Sequence, residues 1–129
     1  MEAQAVRKLV LKSVAPQLVV EDVVATAEYY RDILGFKILG FWADPPVYSI
    51  VSRDGVEIHF GRAEQPGASN SEVRSGSFDL YIWVNDVDAM FEELNASGAE
   101  IVEGPVKRVY ESTEVVVIDR NGYVLVFAS

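Results

Sequence analysis

The sequence of 129 residues contains no cysteine and only one histidine. The lack of cysteine excludes disulfides, thiolate metal sites and a cysteine nucleophile, and it says nothing about compartment. No apolar run approaches the roughly 20 residues needed to cross a bilayer. The opening residues also lack the long apolar segment and the cleavage site of a secretory signal. We therefore expect a cytoplasmic protein without a membrane partner.

Basic residues are also scarce, since 11 lysines and arginines stand against 20 acidic residues for a net charge of −9. Such a surface repels phosphate backbones, so we expect no nucleic-acid partner. It attracts cationic ligands at long range, although acidity also simply keeps a protein soluble. No phosphate-cradling glycine loop and no serine-centred elbow is present, so nucleophilic catalysis has little support in the sequence.

Two copies of one structural unit are visible in the chain. The stretches VVEDVVATAEYYRDILGFKIL and WVNDVDAMFEELNASGAEIV both read as a strand end, Asp-Val, a helix, glycine and a new strand. Asp22 and Asp86 stand where an N-cap carboxylate accepts from free backbone N–H groups. SIVSRDGVEIHF and VVVIDRNGYVLVF each predict a hairpin, because Asp-Gly and Asn-Gly tolerate positive φ.

The pattern predicts an α+β fold of two tandem βαβββ modules, whose eight strands form a curved sheet around a cup. Half of the residues are hydrophobic, which suits one domain over residues 1–129. We place the first module at about 12–62, an exposed linker at about 63–76 and the second module at about 77–129. The predicted strands are 12–20, 36–43, 46–53, 56–62, 77–84, 99–107, 112–119 and 122–128, with helices at 23–34 and 87–97.

The strand in SFDLYIWVND has an unusual second face. Leu80, Ile82 and Val84 alternate with Asp79, Tyr81 and Trp83, so the helix covers the first set and the second set looks elsewhere. Aromatic side chains with polar tips suit the wall of a ligand cavity. We therefore expect the open side of this sheet to hold a ligand.

In these features the chain resembles the vicinal oxygen chelate superfamily. The resemblance rests on VVEDVVATAEYYRDILGF with DGVEIHF, and on YIWVNDVDAMFEEL with VVVIDRNGYVLVF, and it covers the chain from about residue 13 onward. The superfamily includes glyoxalase I, extradiol dioxygenases, methylmalonyl-CoA epimerase, fosfomycin resistance proteins and bleomycin resistance proteins. It implies a cup that is commonly closed in a homodimer, sometimes with modules exchanged between chains, so we expect a homodimer.

The resemblance also implies four strand positions at which catalytic members hold a divalent metal. Carried onto this sequence, these positions are Ala15, His59, Asp79 and Val126. Ala15 and Val126 have no donor atom, and an open metal site normally keeps three protein ligands. We therefore expect no metal and no cofactor. If the strand registers differ by two residues, Gln17 or Glu57 enters the site and restores three donors.

The resulting hypothesis is a metal-independent binder of a planar or cationic organic molecule, closest to the bleomycin-resistance-like members. The alternative is a metal-dependent lyase, isomerase or dioxygenase of the same superfamily, so whether the protein is an enzyme stays open. A third interpretation, a non-catalytic interaction module, fits the fold but has no motif. The predicted ligand-contacting residues are His59, Asp79, Tyr81, Trp83, Glu57, Trp42, Arg108 and Tyr110.

Overall fold

The computed structural model describes residues 7–129, and these form two βαβββ modules. The first module contains β1 (Gln17–Val20), α1 (Val23–Asp32), β2 (Lys37–Trp42), β3 (Tyr48–Arg53) and β4 (Val56–Arg62). The second contains β5 (Leu80–Trp83), α3 (Val87–Ser97), β6 (Glu100–Lys107), β7 (Thr113–Ile118) and β8 (Val124–Ala128). The predicted α+β fold with its two repeated modules is therefore confirmed.

The two modules have the same strand order. The first sheet runs β1-β4-β3-β2 and the second runs β5-β8-β7-β6. In each sheet the first and last strands of the module pair in parallel, and the remaining pairs are antiparallel. The eight strands are thus divided between two four-stranded sheets, because each of these strands forms its hydrogen-bonded pairs with strands of its own module.

Both long helices begin at the predicted aspartates. The Asp22 carboxylate accepts from the N–H groups of Val24 and Ala25 at 3.1 and 2.9 Å. Asp86 accepts from the Ala89 N–H at 3.1 Å. These bonds satisfy amides that have no partner inside the helix, so the capping prediction is confirmed.

The first strand and the linker differ from the prediction. β1 begins at Gln17 and not near residue 12, since β4 is its neighbour only from Pro16 onward, where His59 N–H donates to the Pro16 carbonyl. Val14 is 88% exposed. The linker is not wholly irregular, because a one-turn helix α2 (Asn70–Val73) follows the buried Ser69.

One hydrophobic core lies between the two sheets. α1 packs on β2, β3 and β4, and α3 packs on β6, β7 and β8. Helix residues and the helix-facing residues of both sheets form a single buried cluster that includes Tyr30, Phe60, Leu94, Val115 and Leu125. The opposite face of each sheet therefore points away from this shared core; we call these surfaces the open face of the first module and the open face of the second module.

Polar contacts also join the modules. The Tyr30 hydroxyl donates to Asp119 Oδ2 at 2.7 Å, with both residues buried. Asp119 additionally accepts from two N–H groups of its own β7–β8 turn. The sequence predicted the hairpin around this turn but not the partner of Asp119 in the other module. Arg53 makes a bidentate ion pair with Glu93 on α3 at 2.5 and 2.8 Å.

Among residues 7–129, no helix is both long and apolar enough to cross a membrane.

Candidate ligand-binding site

The open face of the second module carries a cavity of about 590 Å³. Its floor is apolar and comes from β7 and β8, because Val116 and Val126 are paired in register there. Its walls are aromatic, acidic and basic, and they come from β5, the linker and the β6–β7 turn. The lining residues are Ser71, Gly76, Ser77, Phe78, Tyr81, Glu103, Arg108, Tyr110, Glu114, Val116, Val124 and Val126.

A buried carboxylate, Glu114, lies at the centre of this cavity wall. The residue is only 3% exposed. Its Oε2 accepts hydrogen bonds from the hydroxyls of Tyr81 and Tyr110, both at 2.6 Å. Its Oε1 accepts from Arg108 Nε at 2.8 Å, and Arg108 also pairs with Glu103 at 2.5 Å. The wall is therefore a connected network of donors around one acid.

This network keeps Glu114 ionised. Burial raises the pKa of Glu114, but the hydrogen bonds from Tyr110, Tyr81 and Arg108 outweigh burial and hold the pKa below its ordinary value. The hydrogen bonds to Glu103 and Glu114 raise the pKa of Arg108. Burial, with the hydrogen bond to Glu114, raises the pKa of the Tyr81 hydroxyl. The phenol thus stays a donor at neutral pH.

Three aromatic rings form a row beside the cavity. The ring centroids of Phe78 and Tyr81 are 5.2 Å apart, and those of Tyr81 and Trp83 are 5.1 Å apart. Trp83 is 66% exposed and ends the edge strand β5. Its indole lines a second cavity of about 460 Å³ between the modules, together with Phe36 and Met90. Of the two predicted stacking residues, Tyr81 lines the open-face cavity, and Trp83 lines the cavity between the modules instead.

The open face of the first module carries a second polar set. The Gln17 amide Nε2 donates to the Tyr48 hydroxyl at 3.2 Å, and that hydroxyl contacts His59 Nδ1 at 2.6 Å. His59 Nε2 contacts Glu57 Oε1 at 2.6 Å. Because an ionised carboxylate can only accept, His59 Nε2 donates to Glu57, and in the neutral ring Nδ1 then accepts from the Tyr48 hydroxyl. The ring of Trp42 packs edge-on against Tyr48 at 6.1 Å.

Asp79 lies outside both polar sets. Its Oδ1 accepts from the Asn70 N–H at 2.9 Å, and its Oδ2 accepts from the Val124 N–H at 2.8 Å. The carboxylate therefore ties the start of α2 and the start of β8 to the entry of β5. This geometry gives Asp79 a structural role, and Asp79 also lines a separate cavity of about 370 Å³ with Gln17 and Tyr123.

The strand registers change the set of positions that corresponds to a metal site. Gln17, not Ala15, is the β1 residue beside His59. Tyr81, not Asp79, is the β5 residue beside Val126. The difference from the positions carried over from the resemblance is two residues in both modules.

These residues do not fit a divalent metal. Both ring nitrogens of His59 are engaged by Tyr48 and Glu57, and Val126 has no donor. In the described part of the chain, no three His, Asp or Glu side chains are grouped as metal ligands would be. The donor set thus falls short of the three protein ligands that an open metal site normally keeps.

The structure thus divides the predicted residues between two surfaces. Trp42, Glu57 and His59 lie on the open face of the first module, while Tyr81, Arg108 and Tyr110 lie around the cavity of the second. Sequence reasoning missed Glu114, Glu103 and Tyr48 as members of these networks. The available signal for Glu114 was an acid within the β-rich run TEVVVI, on the face opposite the buried Val115 and Val117.

The chain matches the model of one protein family over residues 11–127, nearly its whole length. It belongs to the Glyoxalase/Bleomycin resistance protein/Dioxygenase superfamily. This membership agrees with the resemblance drawn from the repeated Asp-Val helices and the paired hairpins.

The chain is similar to a virulence protein, STM3117, of Salmonella typhimurium. It is 30% identical over 103 residues, which are 78% of this chain and 69% of that protein. A bleomycin-binding protein crystallised with bleomycin has a TM-score of 0.74 at 19% identity, covering 92% of this chain and 98% of its own. A bleomycin resistance determinant encoded on the transposon Tn5 has a TM-score of 0.72 at 20% identity, with 92% and 98% coverage. At these identities the two structures show a shared fold.

Proposed function

We propose that the protein binds a planar organic molecule, without a metal, in the cavity on the open face of the second module. The observation that carries this proposal is the cavity of about 590 Å³ with an apolar valine floor and aromatic walls. A cavity of this size, mainly apolar and with a few convergent polar groups, is typical of small-molecule sites. The fold shared with bleomycin-binding proteins supports a small organic ligand.

We propose further that two copies of the chain complete the site as a homodimer. Within one chain the open faces of the two modules point away from a common core, so the cavity is covered on one side only. Trp42, on the open face of the first module, and Phe78, at the cavity of the second, are 48% and 43% exposed. Pairing the open face of the first module with that of the second module of another copy buries these rings and brings His59 near the ligand.

A metal-dependent lyase, isomerase or dioxygenase is the second candidate. One observation favours it: Gln17 lies beside His59 in register, and two donors at neighbouring strand positions are a feature of catalytic relatives. The engagement of both His59 nitrogens weighs against it. The metal content of purified protein incubated with Mn, Fe, Ni and Zn and then dialysed separates the two candidates.

The test of the binding function is a fluorescence titration with two flat dyes, proflavine and acridine, with and without EDTA. We expect saturable binding that EDTA does not change. Phe78→Leu removes one aromatic wall and should weaken binding about 2- to 10-fold, the range that corresponds to an aromatic contact. Phe41→Leu is the matched control, because Phe41 is similarly exposed but is adjacent in β2 to Trp42 and points to the other side of the strand.

Failure of both dyes to bind would overturn this proposal. Stoichiometric metal that is lost in His59→Ala, together with dye binding abolished by EDTA, would establish the second candidate in its place.

A further inference from the structure

Glu114 differs from the other acidic residues of the cavity in its burial. It is 3% exposed, while the Glu103 side chain at the rim is 50% exposed. A buried carboxylate is costly unless charged or hydrogen-bonding partners surround it. Three close donors surround Glu114, and the Ser112 hydroxyl lies farther away at 3.5 Å; the three close donors are not equally fixed in place.

Two of the donors are held by the framework. Tyr81 extends from β5 with its ring between those of Phe78 and Trp83. Arg108 is held from both sides by Glu103 and Glu114. Their hydrogen bonds to Glu114 therefore persist whether or not a ligand is bound.

The third donor, Tyr110, lies in the turn between β6 and β7 and is 61% exposed. Its neighbours are the fully solvated Val109, 99% exposed, and Glu111, which has a φ of 80°. Within the described residues, Glu114 is the hydrogen-bonding partner of the Tyr110 hydroxyl. Tyr110 therefore reaches over the cavity from solvent and makes one hydrogen bond there, and another donor can replace it.

The charges of the cavity favour a cationic replacement. Glu103 and Glu114 carry two negative charges against the single positive charge of Arg108, so the network holds one net negative charge. The rings of Phe78 and Tyr81 present π-faces, which attract cations and stack on flat groups. The net charge of −9 on the whole chain adds long-range attraction.

We propose that Glu114 anchors a planar cation by accepting an N–H of its amino, amidinium or guanidinium group, and that Tyr110 is a latch which this N–H displaces. This inference rests on the proposed function and adds to it the charge class of the ligand. The Tyr110 hydroxyl exchanges Glu114 for water, and the turn residues 109–111 move off the cavity, while Arg108 keeps its ion pairs with Glu103 and Glu114. A neutral planar molecule stacks in the same place but does not release the latch.

The test compares proflavine, a planar cation at neutral pH, with acridine, the neutral molecule of the same ring system. We expect the wild-type protein to bind proflavine more tightly than acridine. Glu114→Gln should weaken proflavine binding by roughly tenfold or more, since a charge-assisted hydrogen bond is lost, and should change acridine binding little. Because Glu114→Gln also disturbs the network, the decisive variant is Tyr110→Phe.

Tyr110→Phe removes the latch but keeps the ring. Proflavine then no longer has to break a hydrogen bond, and its affinity should rise by about 2- to 10-fold while that of acridine stays unchanged. Tyr29→Phe, a phenol outside the cavity, is the matched control and should change neither affinity. An unchanged or lower proflavine affinity in Tyr110→Phe would overturn the latch.

The dye pair also separates this inference from the proposed function. Equal binding of both dyes, unaffected by Glu114→Gln, would leave the planar-ligand site standing and overturn the cationic anchor. Binding of neither dye would overturn the proposed function and the anchor together.

Discussion

Replacing Tyr30 by phenylalanine removes the most deeply buried hydrogen bond between the two modules. Tyr30 is 0% exposed and Asp119 is 4% exposed, with 2.7 Å between the hydroxyl and Oδ2. Phenylalanine fills the same space, so only the hydroxyl is lost. A hydrogen bond to a charged group contributes about 1.5–3 kcal/mol, and we expect Tyr30→Phe to lower the free energy of unfolding by about 2 kcal/mol.

The pKa of Asp119 makes this loss depend on pH. Burial raises the pKa of Asp119, and the hydrogen bonds from Tyr30 and from two backbone N–H groups oppose the rise. A carboxyl group with a raised folded-state pKa contributes stability below its unfolded pKa of about 3.9 and loses it as the pH rises through the folded pKa. Tyr30→Phe removes one opposing bond and raises this pKa further. The loss should therefore be smallest in acid, where Asp119 is protonated, and largest at neutral pH.

Urea denaturation followed by tryptophan fluorescence measures this loss, at one fixed protein concentration because association would also stabilise the fold. Tyr29→Phe is the control. Its hydroxyl lies 3.4 Å from the Ile118 carbonyl, a weak contact at the module boundary, so the expected change is below about 0.5 kcal/mol. Equal losses in the two variants, or the same loss for Tyr30→Phe at acid and neutral pH, would refute the reasoning.

Two further predictions concern acidic residues outside the cavity. Asp79→Ala should lower the free energy of unfolding by about 1–3 kcal/mol in urea denaturation, because the Asn70 and Val124 amides lose their acceptor. Weaker dye binding with no change in stability would instead indicate that Asp79 contacts the ligand. Glu93→Gln should lower the free energy of unfolding at neutral pH by only about 0.5 kcal/mol, because solvent screens the partly exposed ion pair between Glu93 and Arg53. The hydrogen bond from Arg53 lowers the pKa of Glu93. The stability that the ion pair contributes is therefore present above the unfolded pKa of about 4.3 and vanishes as the pH falls through the folded-state pKa. A stability loss in Glu93→Gln that grows in acid would contradict this prediction.

Local patterns in the sequence were sufficient to predict the helices and strands of the two modules. The helical stripe of Val23, Ala27 and Tyr30 is buried, and the Asp22 and Asp86 carboxylates cap the helices as their spacing predicted. These features depend on residues three or four positions apart, and the repeat of the whole unit reinforced each one. The predicted start of β1 near residue 12 was wrong, because a strand extends only as far as it is paired with its neighbour. That neighbour, β4, lies about 40 residues away in the chain.

The candidate site could be predicted only in part. The alternation of Tyr81 and Trp83 indicated an open aromatic face, and Arg108 and Tyr110 were among the residues predicted to contact a ligand. Asp79 shares the face predicted for these rings, yet its oxygens accept backbone N–H groups from two other segments. Whether a carboxylate meets a ligand or an amide depends on contacts between distant segments, which no local pattern encodes.

The sequence by itself determined the two modules, their helices and the apolar face of each strand, because these follow from periodicity and capping along the chain. Only the tertiary structure decided which polar residues meet. It directed the two open faces away from one core, separating His59 from Tyr81, and it buried Glu114 among the hydroxyls of Tyr81 and Tyr110 and the guanidinium of Arg108. The physical reason is that the core fixes the relative placement of the sheets, and with it the environment of each charge.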